Sequence, residues 1–202
     1  MLPQMSDNTF SVSRDDADLE RTPRAIAVRL LAPGDAAAFA RFVVGVPAGE
    51  RRFLKEDVTD PASAFAGYMR DTNARRIVAV GEDGEIVGLA GAFPGTGWSS
   101  HVAELRVLVS SSHRKQGTGR TLARAGLVEA IKLGCSHVYV ELIAEQEALV
   151  VMFQHMGFEP EALLGDFVRD GEGDFHDLML LTHRVADHWA TSEILGLDEV
   201  GA

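Results

Sequence analysis

The segment Val109-Ser110-Ser111-Ser112-His113-Arg114-Lys115-Gln116-Gly117-Thr118-Gly119-Arg120 decides how this 202-residue chain is read. It leaves the run Val102 to Val109, which alternates as a strand does, with Leu105, Val107 and Val109 on one face and Glu104, Arg106 and Leu108 on the other. It enters Gly117 to Leu133, where Leu122, Leu127 and Ile131 with Ala123, Ala125 and Ala130 give a helical composition that Gly134 ends as a C′ glycine. A strand, a glycine-bearing loop and a helix in that order make a place for an anion. Glycine at 117 and 119 lets backbone N–H groups approach a ligand without a Cβ in the way, and the following helix presents about half a positive charge at its first turn. Arg114, Lys115 and Arg120 add formal charge, which favours a pyrophosphate over a single carboxylate. The other reading is that the two glycines only shape a tight turn. The spacing fits neither a G-x-x-x-x-G-K-[ST] phosphate loop nor a three-glycine dinucleotide fingerprint.

Upstream, Ala25 to Leu31 alternates around Ile26, Val28 and Leu30, and Pro33-Gly34-Asp35 turns the chain into a helix over Ala36 to Val44. Pro47 to Thr59 is charged and irregular, after which Asp60 as N-cap and Pro61 at N1 predict a helix to Arg70. Ile77 to Val80 and Ile86 to Phe93 flank Glu82-Asp83-Gly84-Glu85, whose Asp-Gly supplies the positive φ of a hairpin turn. Downstream, His137 to Leu142 reads as a strand and Gln146 to Met156 as a helix closed by Gly157. Leu163 to Arg169 and Phe175 to His183 form a last hairpin around Asp170-Gly171-Glu172-Gly173. The order β, α, α, β, β, β, α, β, α, β, β describes an α/β fold, a mixed sheet with helices on its faces. Residues 1–24 carry neither periodicity and read as a flexible extension, and 185–202 as a tail with one more short helix.

The length suits one domain, with 46% apolar and 24% charged residues as in an ordinary globular chain. No apolar stretch approaches the roughly 20 residues of a membrane span, residues 1–24 contain no apolar run of the kind a secretory signal has, so none is expected, and the single Cys135 suits a reducing cytoplasm, the expected location. A net charge of −11 argues against nucleic acid, since phosphates would be repelled by the surface as a whole. The charge is uneven. Ser110 to Leu133 holds five bases against one acid, a net +4, and Glu141 to Asp177 holds ten acids against one base, a net −9. The seven histidines show no metal spacing, so no metal is expected.

Arg114-x-x-Gly117-x-Gly119 matches the [QR]-x-x-G-x-[GA] signature of the GNAT acetyltransferase superfamily, between the fourth strand and the third helix as in that family. Met156-Gly157-Phe158 resembles the family's ending of the helix after the fifth strand, and the likeness runs from about Ala25 to His183. The resemblance implies a mostly antiparallel sheet of about seven strands flanked by about four helices, in a domain over residues 25–184. It implies acetyl-coenzyme A as co-substrate, its pyrophosphate held by Gly117, Thr118 and Gly119 with Arg114, Lys115, Gln116 and Arg120 beside them. The pantetheine arm would pair along Val107, Leu108 and Val109, with Gln146 and Phe153 also against the cofactor. In the family the fourth and fifth strands splay apart for this arm.

Acetyl transfer to an amine needs a deprotonated nitrogen, a polarised carbonyl and a proton for the leaving thiolate. By resemblance Glu104 is the general base, while its other reading is an exposed carboxylate paired with Arg106, a cation that would make it a poorer base. The strand N–H of Val109 or Leu108 is expected to hold the thioester oxygen. The family commonly places a tyrosine four residues before the glycine to protonate the thiolate, and here stands Phe153; its usual asparagine seven residues earlier is Gln146. His155 reads as a surface or capping residue, His176 as an ordinary strand residue and Cys135 as a packed one; Trp98 and His101 lie in the loop ahead of Glu104. The expected activity is N-acetylation of a primary amine of a small molecule by direct attack. The alternatives are an acetyl-coenzyme A sensor without turnover, and acyl transfer to a protein amine or a hydroxyl. A homodimer paired through edge strands is the expected assembly.

Overall fold

A computed structural model describes residues 26–47, 55–170 and 173–185. The expected extension at 1–24, the tail beyond 185 and the tip of the last hairpin at 171–172 lie outside the described residues. The elements in chain order are β1 (Ala27–Leu30), α1 (Ala36–Gly45), α2 (Pro61–Arg70), β2 (Arg75–Val80), β3 (Ile86–Pro94), β4 (Val102–Val109), α3 (Thr118–Lys132), β5 (His137–Ile143), α4 (Glu147–Gln154), β6 (Glu159–Arg169) and β7 (Phe175–Arg184). The strands form one seven-stranded sheet in the order β1-β2-β3-β4-β5-β7-β6, antiparallel except between β4 and β5.

Local chemistry accounts for most boundaries. Gly84 adopts φ +80° and its N–H donates to the Gly81 carbonyl, closing the β2–β3 hairpin where Asp-Gly was expected to. The Asp60 carboxylate accepts from Ala62 N–H at 3.1 Å and Pro61 opens α2. Gly134 at φ +84° ends α3. Two elements differ from the sequence reading. The fourth helix is shorter, with Gln146 as its N-cap and His155 as its C-cap. β6 starts at Glu159, four residues early, because Gly157 at φ +84° turns the chain straight alongside β7; Pro160 is tolerated there since β6 is the sheet's edge.

The two sheet faces are covered differently. Phe39, Phe42 and Val43 of α1 and Phe65 and Tyr68 of α2 pack on Val78, Ile86, Leu89 and Leu108. Phe39 is fully buried with its ring 5.6 Å from Phe65 and 5.4 Å from Tyr68, so its truncation to alanine would cost about 3–5 kcal/mol. On the opposite face α3 lays Ala123, Leu127 and Ala130 over Leu105, and Phe153, Met156 and Phe158 join the same core. A Cβ on Gly126 would lie 2.3 Å from Leu105 Cδ1, so this glycine sets how closely α3 sits on β4. Beyond β4, the face carrying Tyr139, Glu141, Glu161, Leu180 and Thr182 is an open cleft of about 500 Å³.

Candidate active site

The strand at the centre of the sheet is paired on one side over its whole length and on the other over only three residues. Ser110 N–H donates to the Val87 carbonyl (2.9 Å) and the Val102 carbonyl accepts from Gly95 N–H (2.8 Å), so the even-numbered residues of β4 turn their backbone groups to β3. The odd-numbered ones face β5, where the His101 carbonyl accepts from Ser136 (2.9 Å) and His137 (3.2 Å). Pairing with β5 covers Val102–Glu104 against His137–Tyr139 and then stops. Beyond that the strands part: the Leu105 N–H still closes the ladder onto β5, and the N–H groups of Val107 and Val109 face the opening. Val107 and Val109 lie on this unpaired edge. Leu108 does not: its N–H is spent on β3 opposite Leu89, and its side chain packs toward α1 and α2. Strand alternation excludes it as a partner for a carbonyl in the opening.

The loop that follows is wound by two positive φ angles, +58° at Lys115 and +86° at Gly117. Arg114 Nε donates to the Val109 carbonyl at 3.0 Å, which ties the loop to the end of β4, and Gln116 Nε2 donates back to the Ser112 carbonyl at 3.0 Å. Gly117 is the N-cap of α3 without a side-chain cap, so the first-turn N–H groups of Thr118, Gly119 and Arg120 point out of the helix end. A Cβ at Gly119 would make only an ordinary 3.6 Å contact with Val109 Cγ2. The protein's own packing therefore leaves this turn bare without needing to, the property of a surface on which an anion can rest. Gln146 is exposed at the start of α4. Phe153 is 3% exposed and meets Phe158 edge-on at 5.1 Å, within the core that contains Leu105 and Val140.

At the fork where β4 and β5 separate lies Glu104, only 8% exposed. Its Oε1 accepts from Lys55 Nζ at 2.7 Å and its Oε2 from Arg106 at 2.7 Å. Lys55 also donates to Glu141 on β5, so one ammonium bridges two carboxylates across the fork. Burial pushes the Glu104 carboxyl upward, but the bonds from Arg106 and Lys55 outweigh it and hold the group below the usual carboxylate range. The pairing with Arg106 is as the sequence suggested, whereas the exposure is not. Tyr139 lies beside Glu104 in register, its phenol held above the ordinary range by burial and by Glu104 and Glu141.

The sequence profile of the Acetyltransferase (GNAT) family matches residues 23–158, two-thirds of the chain and both arms of the fork. The chain belongs to the GNAT acetyltransferase family. Among curated relatives, a streptothricin acetyltransferase from Streptomyces lavendulae is 31% identical over 88 residues, 44% of this chain and 46% of that one. The uncharacterized N-acetyltransferase YjgM of Escherichia coli K12 is 28% identical over 142 residues, 68% of this chain and 84% of that one. The chain thus spans about half the length of the first relative and most of the second. Among solved structures, YncA of Salmonella typhimurium with its cofactor acetyl-CoA superposes with a TM-score of 0.66 at 19% identity, over 83% of this chain and 98% of that one. At that identity the likeness shows the fold.

Within this GNAT fold several residues that the sequence did not single out build the fork. Glu56 accepts from the Tyr68 hydroxyl and from Arg76 at 3.1 Å. Arg76 is itself clasped between the Tyr68 and Phe93 rings, 4.0 and 5.1 Å from their centroids, and bonds Asp71 at 3.0 Å. Lys55 and Glu141 lie far from Glu104 in sequence, and only their opposite charges hint at a meeting. His183 is buried, with Nδ1 2.9 Å from the Gly157 carbonyl, and supports the turn into β6. Cys135 is a core residue whose thiol burial pushes up, and His155 is an exposed cap. His176 sits 3.4 Å from Glu145 and 3.5 Å from Asp170, outside the fork. Trp98 is 94% exposed, and His101 packs on His137 at 5.4 Å. No helix among the described residues is long and apolar enough to cross a membrane.

Proposed function

We propose that the chain transfers the acetyl group of acetyl-coenzyme A to a primary amine of a small molecule by direct attack, with residues 25–184 as the acetyltransferase domain. The observation that carries this reading is the fork: a buried carboxylate at the point where β4 turns free N–H groups toward an opening. The bare, positively wound turn fits the cofactor's pyrophosphate, with Gly117, Thr118, Gly119 and Arg120 holding it and Arg114, Lys115 and Gln116 around them. Val107 and Val109 pair with the amides of the pantetheine arm, Gln146 lies at the far lip, and Phe153 supports the arm from the core. The acetyl-CoA recorded with YncA supports the choice of co-substrate.

The ammonium of the acceptor enters from the open cleft, whose Glu141 and Glu161 attract a cation. Glu104 holds it and takes one proton, which frees the nitrogen lone pair to attack the acetyl carbon. A carboxylate held low is a weak base, so only a small fraction of the bound acceptor is deprotonated at a time and attack draws on that fraction. An N–H on the odd-numbered edge of β4 bears the oxyanion, the C–S bond breaks, and a thiol with a pKa of about 8.5 leaves as thiolate without a dedicated acid. The second reading, binding without turnover, has Phe153 behind it, since no hydroxyl stands at that place. Thiol release in the presence of a panel of primary amines, alcohols and peptides decides between them. Turnover with small amines is expected; acetyl-coenzyme A binding without any thiol release would establish the sensor instead. Two copies would pair through the edge strand β6, which exposes Leu163, Leu164 and Phe167.

A further inference from the structure

The chain has three lysines, and the fold treats them differently. Lys115 is exposed in the phosphate-loop turn, and Lys132 ends α3 beside Glu129 at 2.7 Å. Lys55 reaches into the fork, its Nζ 2.7 Å from Glu104 Oε1 and bonded to Glu141. Its backbone is held there. The next residue, Glu56, is pinned by Tyr68 and by Arg76, whose side chain is 8% exposed, and Lys55 itself has φ +56°, a conformation few non-glycine residues adopt. With Glu56 fixed against Tyr68, Arg76 and, at 3.9 Å, Arg106, the Lys55 side chain reaches Glu104 and Glu141. A primary ammonium of this protein therefore occupies the position an acceptor's ammonium must take to give its proton to Glu104.

We infer that Lys55 is a self-acetylation site, modified by this chain's own acetyl-coenzyme A when no acceptor is present. The inference rests on the acetyl-transfer reading above. In the step, a proton leaves Nζ by way of Glu104 to water, the N–C bond to the acetyl carbon forms, and the C–S bond breaks. Coenzyme A leaves as thiolate and takes the second proton, which the nitrogen sheds as it becomes an amide. Lys55 is left as a neutral amide that no longer satisfies Glu104 and Glu141 as a cation, so the two carboxylates are released to the ammonium of an incoming acceptor. Burial lowers the proton affinity of Lys55, but its bonds to the two carboxylates outweigh this and keep it charged, which makes the self-reaction slow. Proximity acts the other way, because the nucleophile is already seated.

The full chain is incubated with acetyl-coenzyme A and no amine, and the acetylation of all three lysines is followed by peptide mass spectrometry. Lys55 is expected to label more than about tenfold faster than Lys115 and Lys132, because its nitrogen is prepositioned. Its rate per molecule should not change on dilution, and Glu104→Gln should slow it. Equal labelling of the three lysines, or a Lys55 rate that falls with dilution, would overturn the inference. The wild type is also expected to release one equivalent of thiol per chain before any acceptor is added. Lys55→Arg, which keeps a cation for Glu104 and Glu141, should lose that release, and its persistence in the variant would count against Lys55. Unlabelled Lys55 in a protein that turns over an added amine removes this inference and leaves the proposed function intact. Failure to bind acetyl-coenzyme A at all removes both.

Discussion

The turn that suits the pyrophosphate and the fork that holds Glu104 are neighbours in space and opposites in construction. The turn is a contiguous dozen residues whose proposed function lies in the backbone: two positive φ angles, an uncapped helix start and a glycine the core does not require. The fork is assembled from Lys55, Glu104, Arg106, Tyr139 and Glu141, drawn from three separate stretches of chain, and its proposed function lies in side-chain charge. A backbone site tolerates changes to its side chains and fails when a Cβ or a negative charge enters. A charge site fails with the loss of a single carboxylate. Binding and chemistry should therefore separate cleanly under mutation.

The largest break in that comparison is expected from Gly117→Asp, which places an L side chain at φ +86° and a negative charge in the cradle. Acetyl-coenzyme A affinity should fall by more than about a hundredfold by calorimetry, from backbone strain and repulsion together. Glu141→Gln acts on the fork only. The ammonium that Glu141 shares with Glu104 is that of Lys55, so an acceptor taking that place would lose one hydrogen bond to a charged group in this variant, and the KM for an amine should rise about tenfold. Acetyl-coenzyme A binding should be unchanged in that variant. Gly126→Ala crowds Leu105 from behind β4; the clash falls on the far end of a flexible side chain, so stability should drop by about 1 kcal/mol in denaturant unfolding, with the fork's chemistry retained.

The smallest effect is one of pH. Glu104 is held below the ordinary carboxylate range in the folded chain, so its pairs add stability above the unfolded titration range and lose it as pH falls through the folded one. The stability difference between wild type and Glu104→Gln should therefore be constant near neutrality and shrink on acidification. A difference that grew on acidification would mean the carboxylate is not held low.

The contrast also explains what could be read in advance. The cradle, the β2–β3 hairpin, the capped start of α2 and the order of all eleven elements follow from local chemistry: Asp-Gly at a turn, Asp60-Pro61 at a helix start, glycines at 84, 117 and 134 with positive φ. The fork did not follow. Lys55 lies in a stretch with no periodicity, and its meeting with Glu104 and Glu141 depends on Arg76, Tyr68 and Glu56 fixing that stretch from the other side. Strand alternation was legible enough to place Glu104 and Arg106 together, yet which edge of β4 stays open depends on where β5 leaves it. That is why Leu108 was credited with an N–H that β3 uses. The early start of β6 was hidden by Pro160, whose penalty vanishes on an edge strand.

In the proposed mechanism the buried carboxylate at the fork performs the proton transfer while the loop performs the binding. Steady-state turnover and acetyl-coenzyme A calorimetry on Glu104→Gln test both halves in one protein. The expected result is a kcat lower by about 10²–10⁴, the usual contribution of a general base, with the cofactor's affinity unchanged. A variant that turns over amines at the wild-type rate would contradict it.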